Sequence, residues 1–340
     1  MSRTQWGRWR DGILLGLGLL LFWLFARQIE WHNSLALLRR LGPSPFVVYL
    51  TVNGVIALLF AGRWWLLLAG MGYRLSFLKV AAYRLIGATV SLLTPGPQFG
   101  GEPVQIYYLV RHSGLPPGQA VASVALDRLL EISVNFIFLI AGLVYALEQD
   151  FLIAGFDQQV LILALLPLAL PPLLFAFWWK QPNAASIGVW FLGRLPEKWQ
   201  GPGLARTLDV LAANEARLHR MLHAKPRLLA IGVLFSLINW AILLADFWLA
   251  SRLIGMELDT AQFIGFVVAA RVAILLPIPA GLGVLEASQI FAASQMGLDP
   301  GLGLALVLLF RARDAALALL GLALAWQKRR QPIAIHLHRG

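Results

Sequence analysis

Leu93-Thr-Pro-Gly-Pro-Gln-Phe-Gly-Gly-Glu-Pro-Val-Gln-Ile-Tyr107 breaks an otherwise apolar sequence. Two prolines, Pro95 and Pro97, and three glycines, Gly96, Gly100 and Gly101, fall within seven residues, and Glu102 and Pro103 follow. Residues so placed cannot continue a helix. Pro103 suits the first position of a new one, where its missing N–H costs nothing. The stretch therefore reads as helix, break, helix. At membrane depth the freed backbone groups would have to face protein or a watered cavity rather than lipid, which is how many transporters build a site. The competing reading is a surface loop between two ordinary helices.

Composition sets the class. Of the 340 residues 59% are hydrophobic and 13% charged, against about 25% charged in a soluble domain. With several apolar runs long enough to span, the sequence predicts an all-α, polytopic integral membrane protein without a large soluble domain. Cysteine is absent, so disulfide and thiol chemistry are excluded. The net charge of +11 would suggest nucleic acid in a soluble protein. Here the bases gather in loops and tails, where membrane orientation and anionic lipid headgroups account for them, and no nucleic-acid partner is expected.

Outward from the break, a first membrane helix is expected over Gly12–Phe25, since no small-residue cleavage site marks a signal peptide. A short amphipathic link over 30–45 carries Arg39 and Arg40, and a second helix runs from Phe46 to Met71 with Arg63 inside. The broken segment covers 78–112. Spans are expected at Gln119–Leu147, Val160–Trp179, Leu228–Leu249 and Leu302–Trp326, and the thirteen tryptophans are read as interface anchors. A basic link from Lys180 to Arg227 holds an amphipathic helix near 204–223. A second broken segment, 262–296, centres on Leu276-Pro-Ile-Pro-Ala-Gly-Leu-Gly-Val-Leu-Glu286, with Pro277, Pro279, Gly281 and Gly283 as its breakers. This gives about six spans and two re-entrant segments. The 180–227 link has eight bases against three acids, whereas 148–158 has three acids and no base. Both termini and the basic link are therefore expected in the cytoplasm of a cell-membrane protein. Arg39 and Arg40 fall on the wrong side of this rule.

The two broken segments share an order of residues. Arg84, a Pro/Gly break and Glu102 in one answer to Arg271, a break and Glu286 in the other. Gly114-Leu-Pro-Pro-Gly118 answers to Gly297-Leu-Asp-Pro-Gly301, then Arg128 to Arg311 and Glu131 to Asp314. This predicts an internal repeat over roughly 78–147 and 262–326. Counted from a cytoplasmic N-terminus, the segments enter from opposite sides, so the repeat is inverted.

Arg128 and Arg311 lie about ten residues into their spans, near mid-bilayer at 1.5 Å per residue. A charge there costs at least about 2.5 kcal/mol. The i, i+3 spacing sets Arg128 on one face with Glu131, and Arg311 with Asp314. Each pair is either a structural clamp or part of a polar path. Arg84 and Arg271 could hold an anion beside a half-helix start. Glu102 and Glu286 either cap those starts or act as proton-linked carboxylates that compete with a substrate phosphate. His219 and His223 have metal spacing, but Arg220 stands where a zincin needs glutamate. A solvated or interfacial face is the better reading, so no metal is expected. Asp246, Asn53, Asn135 and Asn239 are intramembrane polar residues, the asparagines serving as interhelical hydrogen bonds. No nucleotide-binding or hydrolase motif is present. No catalytic residue, cofactor or enzymatic activity is expected.

Pro95-Gly-Pro-Gln-Phe-Gly-Gly-Glu102, Asp127-Arg128-Leu-Leu-Glu131 and Leu276-Pro-Ile-Pro-Ala-Gly-Leu-Gly-Val-Leu-Glu286 together resemble the transmembrane region of lysylphosphatidylglycerol synthases, the flippase-like domain family. The resemblance covers about residues 10–326. It implies a stand-alone member without the soluble synthase domain, one that moves a lipid between leaflets rather than making it. The expectation is translocation of a phosphate-bearing lipid through a polar groove lined by Arg84, Glu102, Arg128, Glu131, Arg271, Glu286, Arg311 and Asp314. A separate lipid-modifying enzyme is a further expected partner. The rivals are a membrane-embedded transferase on a lipid-linked substrate and a non-transporting partner of a lipid-synthesis or envelope complex.

Overall fold

The computed structural model describes residues 42–93, 100–148, 169–177, 180, 216, 219, 223–275 and 283–329. Among these residues the protein is all helix, without strands. The long elements are α1 (Pro43–Gly70), α2 (Phe77–Leu93), α3 (Glu102–Ser113), α4 (Pro117–Glu148), α5 (Pro226–Leu253), α6 (Thr260–Leu275), α7 (Val284–Gln295) and α8 (Pro300–Arg329). A further helical stretch covers 169–177. The expected helix over 12–25, the breakers Pro95, Gly96, Pro97, Pro277, Pro279 and Gly281, and most of the basic link lie outside the described residues.

Local chemistry explains the ends. Proline opens α1, α4, α5 and α8, where its fixed φ fits and no hydrogen bond is lost. After α1, Gly72 takes φ 97 and Tyr73 N–H reaches back to the Leu68 carbonyl at 2.9 Å. After α5, Gly255 takes φ 80 and Met256 N–H reaches Ser251 at 2.9 Å. Gly297 closes α7 in the same way, and after Gly114 the Leu115 N–H reaches one residue further back, to the Leu109 carbonyl. A left-handed glycine followed by such a backward bond satisfies the last carbonyls of a helix. One offset, 183 residues (226 − 43, and equally 255 − 72, 297 − 114 and 300 − 117), relates all four pairs of landmarks.

Helices α1 and α5 are each 28 residues long, about 42 Å of helix against a hydrocarbon core of about 30 Å. Under a third of the most apolar window of either is buried, whereas the core helix of a soluble protein would be mostly buried. Val47, Val55 and Leu58 of α1 and Leu234, Leu237 and Trp248 of α5 are exposed, while Asn53, Arg63, Ser236, Asn239 and Asp246 are buried. Apolar outside and polar inside is the pattern of a helix in lipid. α4 and α8 are as long but carry charged residues mid-helix: Asp127, Arg128 and Glu131 in one, Arg311, Arg313 and Asp314 in the other. Two tryptophans depart from the interface role: Trp64 is fully buried, and Trp240 is buried and stacked on Phe138.

The chain divides into two compact units. One takes α1 as far as Gly54, Arg84–Val104, and Asp246 through α8. In it α7 packs against both α6 and α8, and Gly303 admits the Gln289 carbonyl where a Cβ would collide. The other unit takes Val55–Tyr83 and Gln105–Ala245. Within it the end of α1 runs antiparallel to the start of α5: Lys225 donates to the Gly70 carbonyl at 2.8 Å, Leu67 meets Leu228, and Arg63 meets Ser236. Small residues permit this approach. Any side chain at Gly70 would strike Leu228, and one at Gly232 would come within 2.7 Å of Leu130. Close packing of this kind, rather than hydrophobic exclusion, is what holds helices together in lipid.

Candidate functional site

The first broken segment resumes at Gly100, and its two glycines have separate reasons. Gly100 takes φ 137, which disfavours other residues. Gly101 sits against the Gly87 carbonyl, where a Cβ has no room. Gly101 N–H donates to Ser91 Oγ at 2.9 Å, and Gly100 N–H donates to Glu102 Oε2 at 2.8 Å. Glu102 thus ties down backbone at the break, the capping role. Helix α3 opens at Glu102, one residue ahead of the expected Pro103 start. Arg84 is buried in α2, and Arg271 is half-buried in α6. They are not equivalent in register. Arg84 stands seven residues past the start of its helix (84 − 77) and Arg271 eleven past its own (271 − 260), one turn further along the same face.

In α4 the expected pair forms, with Arg128 Nη1 3.0 Å from Glu131 Oε1. The pair is not self-contained. Arg63, with a side chain 1% exposed, donates through Nε to Asp127 Oδ1 at 2.7 Å and through Nη2 to Glu131 Oε2 at 2.8 Å. It also donates to Ser236 Oγ at 3.0 Å and to the Asp127 carbonyl at 3.2 Å. Each carboxylate is thus held by a guanidinium, as a charge taken out of water needs.

In α8 the expected pairing is corrected. Arg311 does not bond Asp314; its Nε and Nη2 both reach Glu286 Oε1 at 2.9 Å. Asp314 instead accepts from its neighbour Arg313 at 3.0 Å, and Arg313 Nη1 reaches Asp246 Oδ2 at 3.0 Å. Asn53 Nδ2 donates to Asp246 Oδ1 at 2.8 Å. The i, i+3 rule missed that Arg311 takes its partner from α7 and that Asp314 is held by its own neighbour.

Arg63, Asp127, Arg313 and the tie of Asp246 to Asn53 lay outside the expected site. The signal was present: a charge within a long apolar run seeks a partner. The offset of 183 carries Arg63 onto Asp246 (63 + 183) and Asn53 onto Ser236 (53 + 183). Each unit therefore has one cluster that includes two positions related by that offset to two in the other, with opposite sign on the anchoring residue. His219 and His223 approach to 3.1 Å between Nε2 atoms, with His219 buried and His223 exposed.

Two helices long and apolar enough to cross a membrane, with paired charge buried behind their apolar faces, fit an all-α membrane protein. The chain belongs to the lysylphosphatidylglycerol synthase TM region family, whose profile matches residues 11–321. It is 25% identical over 312 residues to a UPF0104 membrane protein of Pyrococcus horikoshii, covering 88% of this chain and 90% of that one. A UPF0104 membrane protein of Methanothermobacter thermautotrophicus is 24% identical over 278 residues, covering 79% and 80%. One from Methanocaldococcus jannaschii is 23% identical over 156 residues, 46% and 45%.

Proposed function

We propose that the protein translocates a phosphate-bearing lipid between leaflets of the cell membrane, with polar side chains of each repeat serving the headgroup while the tails stay in lipid. One observation carries the reading. Glu131 and Glu286 keep 24% and 22% of their side chains accessible, yet each sits on an arginine inside a membrane chain. Intramembrane charge that is paired but reachable marks a polar pathway more than a sealed core. The repeat supports it. Landmarks recur at one offset, and the equivalent helices α1 and α5 run antiparallel where they meet, as an inverted repeat requires. About six spans, two re-entrant segments and cytoplasmic termini complete the reading. Partners would be anionic lipids and a separate lipid-modifying enzyme.

The test is leaflet exchange in proteoliposomes carrying fluorescent phospholipids, read by quenching of the outer leaflet. Protein-dependent exchange is expected. Its absence across anionic and zwitterionic headgroups would overturn the reading. The saturation of Arg63 by four hydrogen bonds favours a second reading for that cluster, a clamp in a non-transporting partner of a lipid-synthesis complex. Variants that restore folding after loss of the clamp charges would then keep full function.

A further inference from the structure

The second half-helix, α7, holds two buried acceptors without donors. Glu286 gives one carboxylate oxygen, Oε1, to Arg311. Its other oxygen, Oε2, is buried and has no hydrogen-bond partner. Three residues on, Gln289 is fully buried, at 0% exposure. Its amide is fixed by Nε2, which donates to the Phe266 carbonyl at 3.2 Å. That bond leaves Oε1 as the free end of the amide, and it too is buried without a partner. Residues three apart lie on one helix face, so the two orphan oxygens belong to one face of α7. Buried acceptors are normally satisfied, and each exception asks for an explanation.

Charge selects the ligand. Arg311 already neutralises Glu286, so a cation entering here would meet no net negative charge, and an anion would meet the carboxylate. What the pair lacks is hydrogen-bond donors that bring no charge. Among the neutral donors that lipid headgroups carry, hydroxyls serve a carboxylate and an amide oxygen alike. The same Glu-x-x-Gln spacing, Glu102 to Gln105, opens α3, so the device recurs in sequence at the other break.

We propose that Glu286 Oε2 and Gln289 Oε1 bind neighbouring hydroxyls of a polyol headgroup, a glycerol or a sugar. The inference rests on the lipid-translocation reading and narrows it to headgroups bearing vicinal hydroxyls.

The test compares saturable binding of dioctanoyl phosphatidylglycerol, phosphatidylinositol and phosphatidylmethanol to the detergent-solubilised protein. All three carry one phosphodiester charge, and the last has no hydroxyl. The two hydroxylated lipids should bind about tenfold tighter than phosphatidylmethanol, within the usual worth of two hydrogen bonds. A preference for only one of them tells glycerol from sugar and upholds the proposal. Gln289→Leu, and the less disruptive Gln289→Met, should lower that preference several-fold while leaving phosphatidylmethanol binding in place. Equal binding of all three by the unaltered protein would overturn the proposal and leave orphan acceptors that hold only water, with translocation intact. A preference that survives both Gln289 variants would also overturn it. No saturable binding of any of the three would remove the lipid reading with it.

Discussion

Replacing Arg63 with methionine tests the buried cluster most directly. The substitution keeps an unbranched side chain of helix-forming type and removes four hydrogen bonds. Glu131 would remain held by Arg128. Asp127, whose side chain is 3% exposed, would lose the guanidinium that neutralises it. Breaking a buried pair from one side costs about 3–5 kcal/mol, a large part of the roughly 5–15 kcal/mol that holds a typical protein folded. Adding Asp127→Leu removes the carboxylate that Arg63 holds, so the double variant should recover most of the loss. Arg128→Ala should cost about 1 kcal/mol or less, because its pair is part-exposed and Glu131 keeps Arg63. Unfolding of the detergent-solubilised protein by sodium dodecyl sulfate, followed by tryptophan fluorescence, gives all three values. A loss below about 1 kcal/mol for Arg63→Met, or a double variant worse than the single, would refute the assignment of Arg63 as the anchor.

Further outcomes follow from the breaks and the topology. Gly101→Ala should lower folded yield sharply, since its Cβ would press on the Gly87 carbonyl, whereas Gly54→Ala, with open space around it, should be neutral; size-exclusion profiles after extraction report both. Glu102→Gln and Glu286→Gln should each fold and slow leaflet exchange non-additively, and full exchange in both would return these acids to capping alone. The chain has no cysteine, so single cysteines can be labelled cleanly. Positions 149–157 should react with an impermeant reagent on intact cells and positions 195–220 should not, and the reverse pattern would invert the proposed orientation.

Much of the architecture was legible because lipid imposes long apolar runs and proline and glycine punctuate them. The expected helices 46–71, 119–147, 228–249 and 302–326 became α1, α4, α5 and α8 with ends moved by a few residues. Both broken segments resolved into paired helices, α2 with α3 and α6 with α7. Partner choice was far less legible. Spacing along one helix found Arg128 with Glu131, but it could not show Arg63 arriving from α1 or Glu286 taking Arg311 from Asp314. Those pairings depend on which helix faces meet, and periodicity in one segment carries no record of that. The correspondence between the two stretches would have helped had it been followed upstream, for Pro43 and Pro226 share its offset, as do Arg63 and Asp246.

The opposite signs at those matching places bear on assembly. Helices α1 and α5, equal in length and matched at one offset, are the two that could exchange seats as the chain folds. Arg63 seated where Asp246 belongs would confront Arg313, and Asp246 seated for Arg63 would confront Asp127 and Glu131. Either exchange sets like charges together out of water, so the opposite signs disfavour the swapped arrangement.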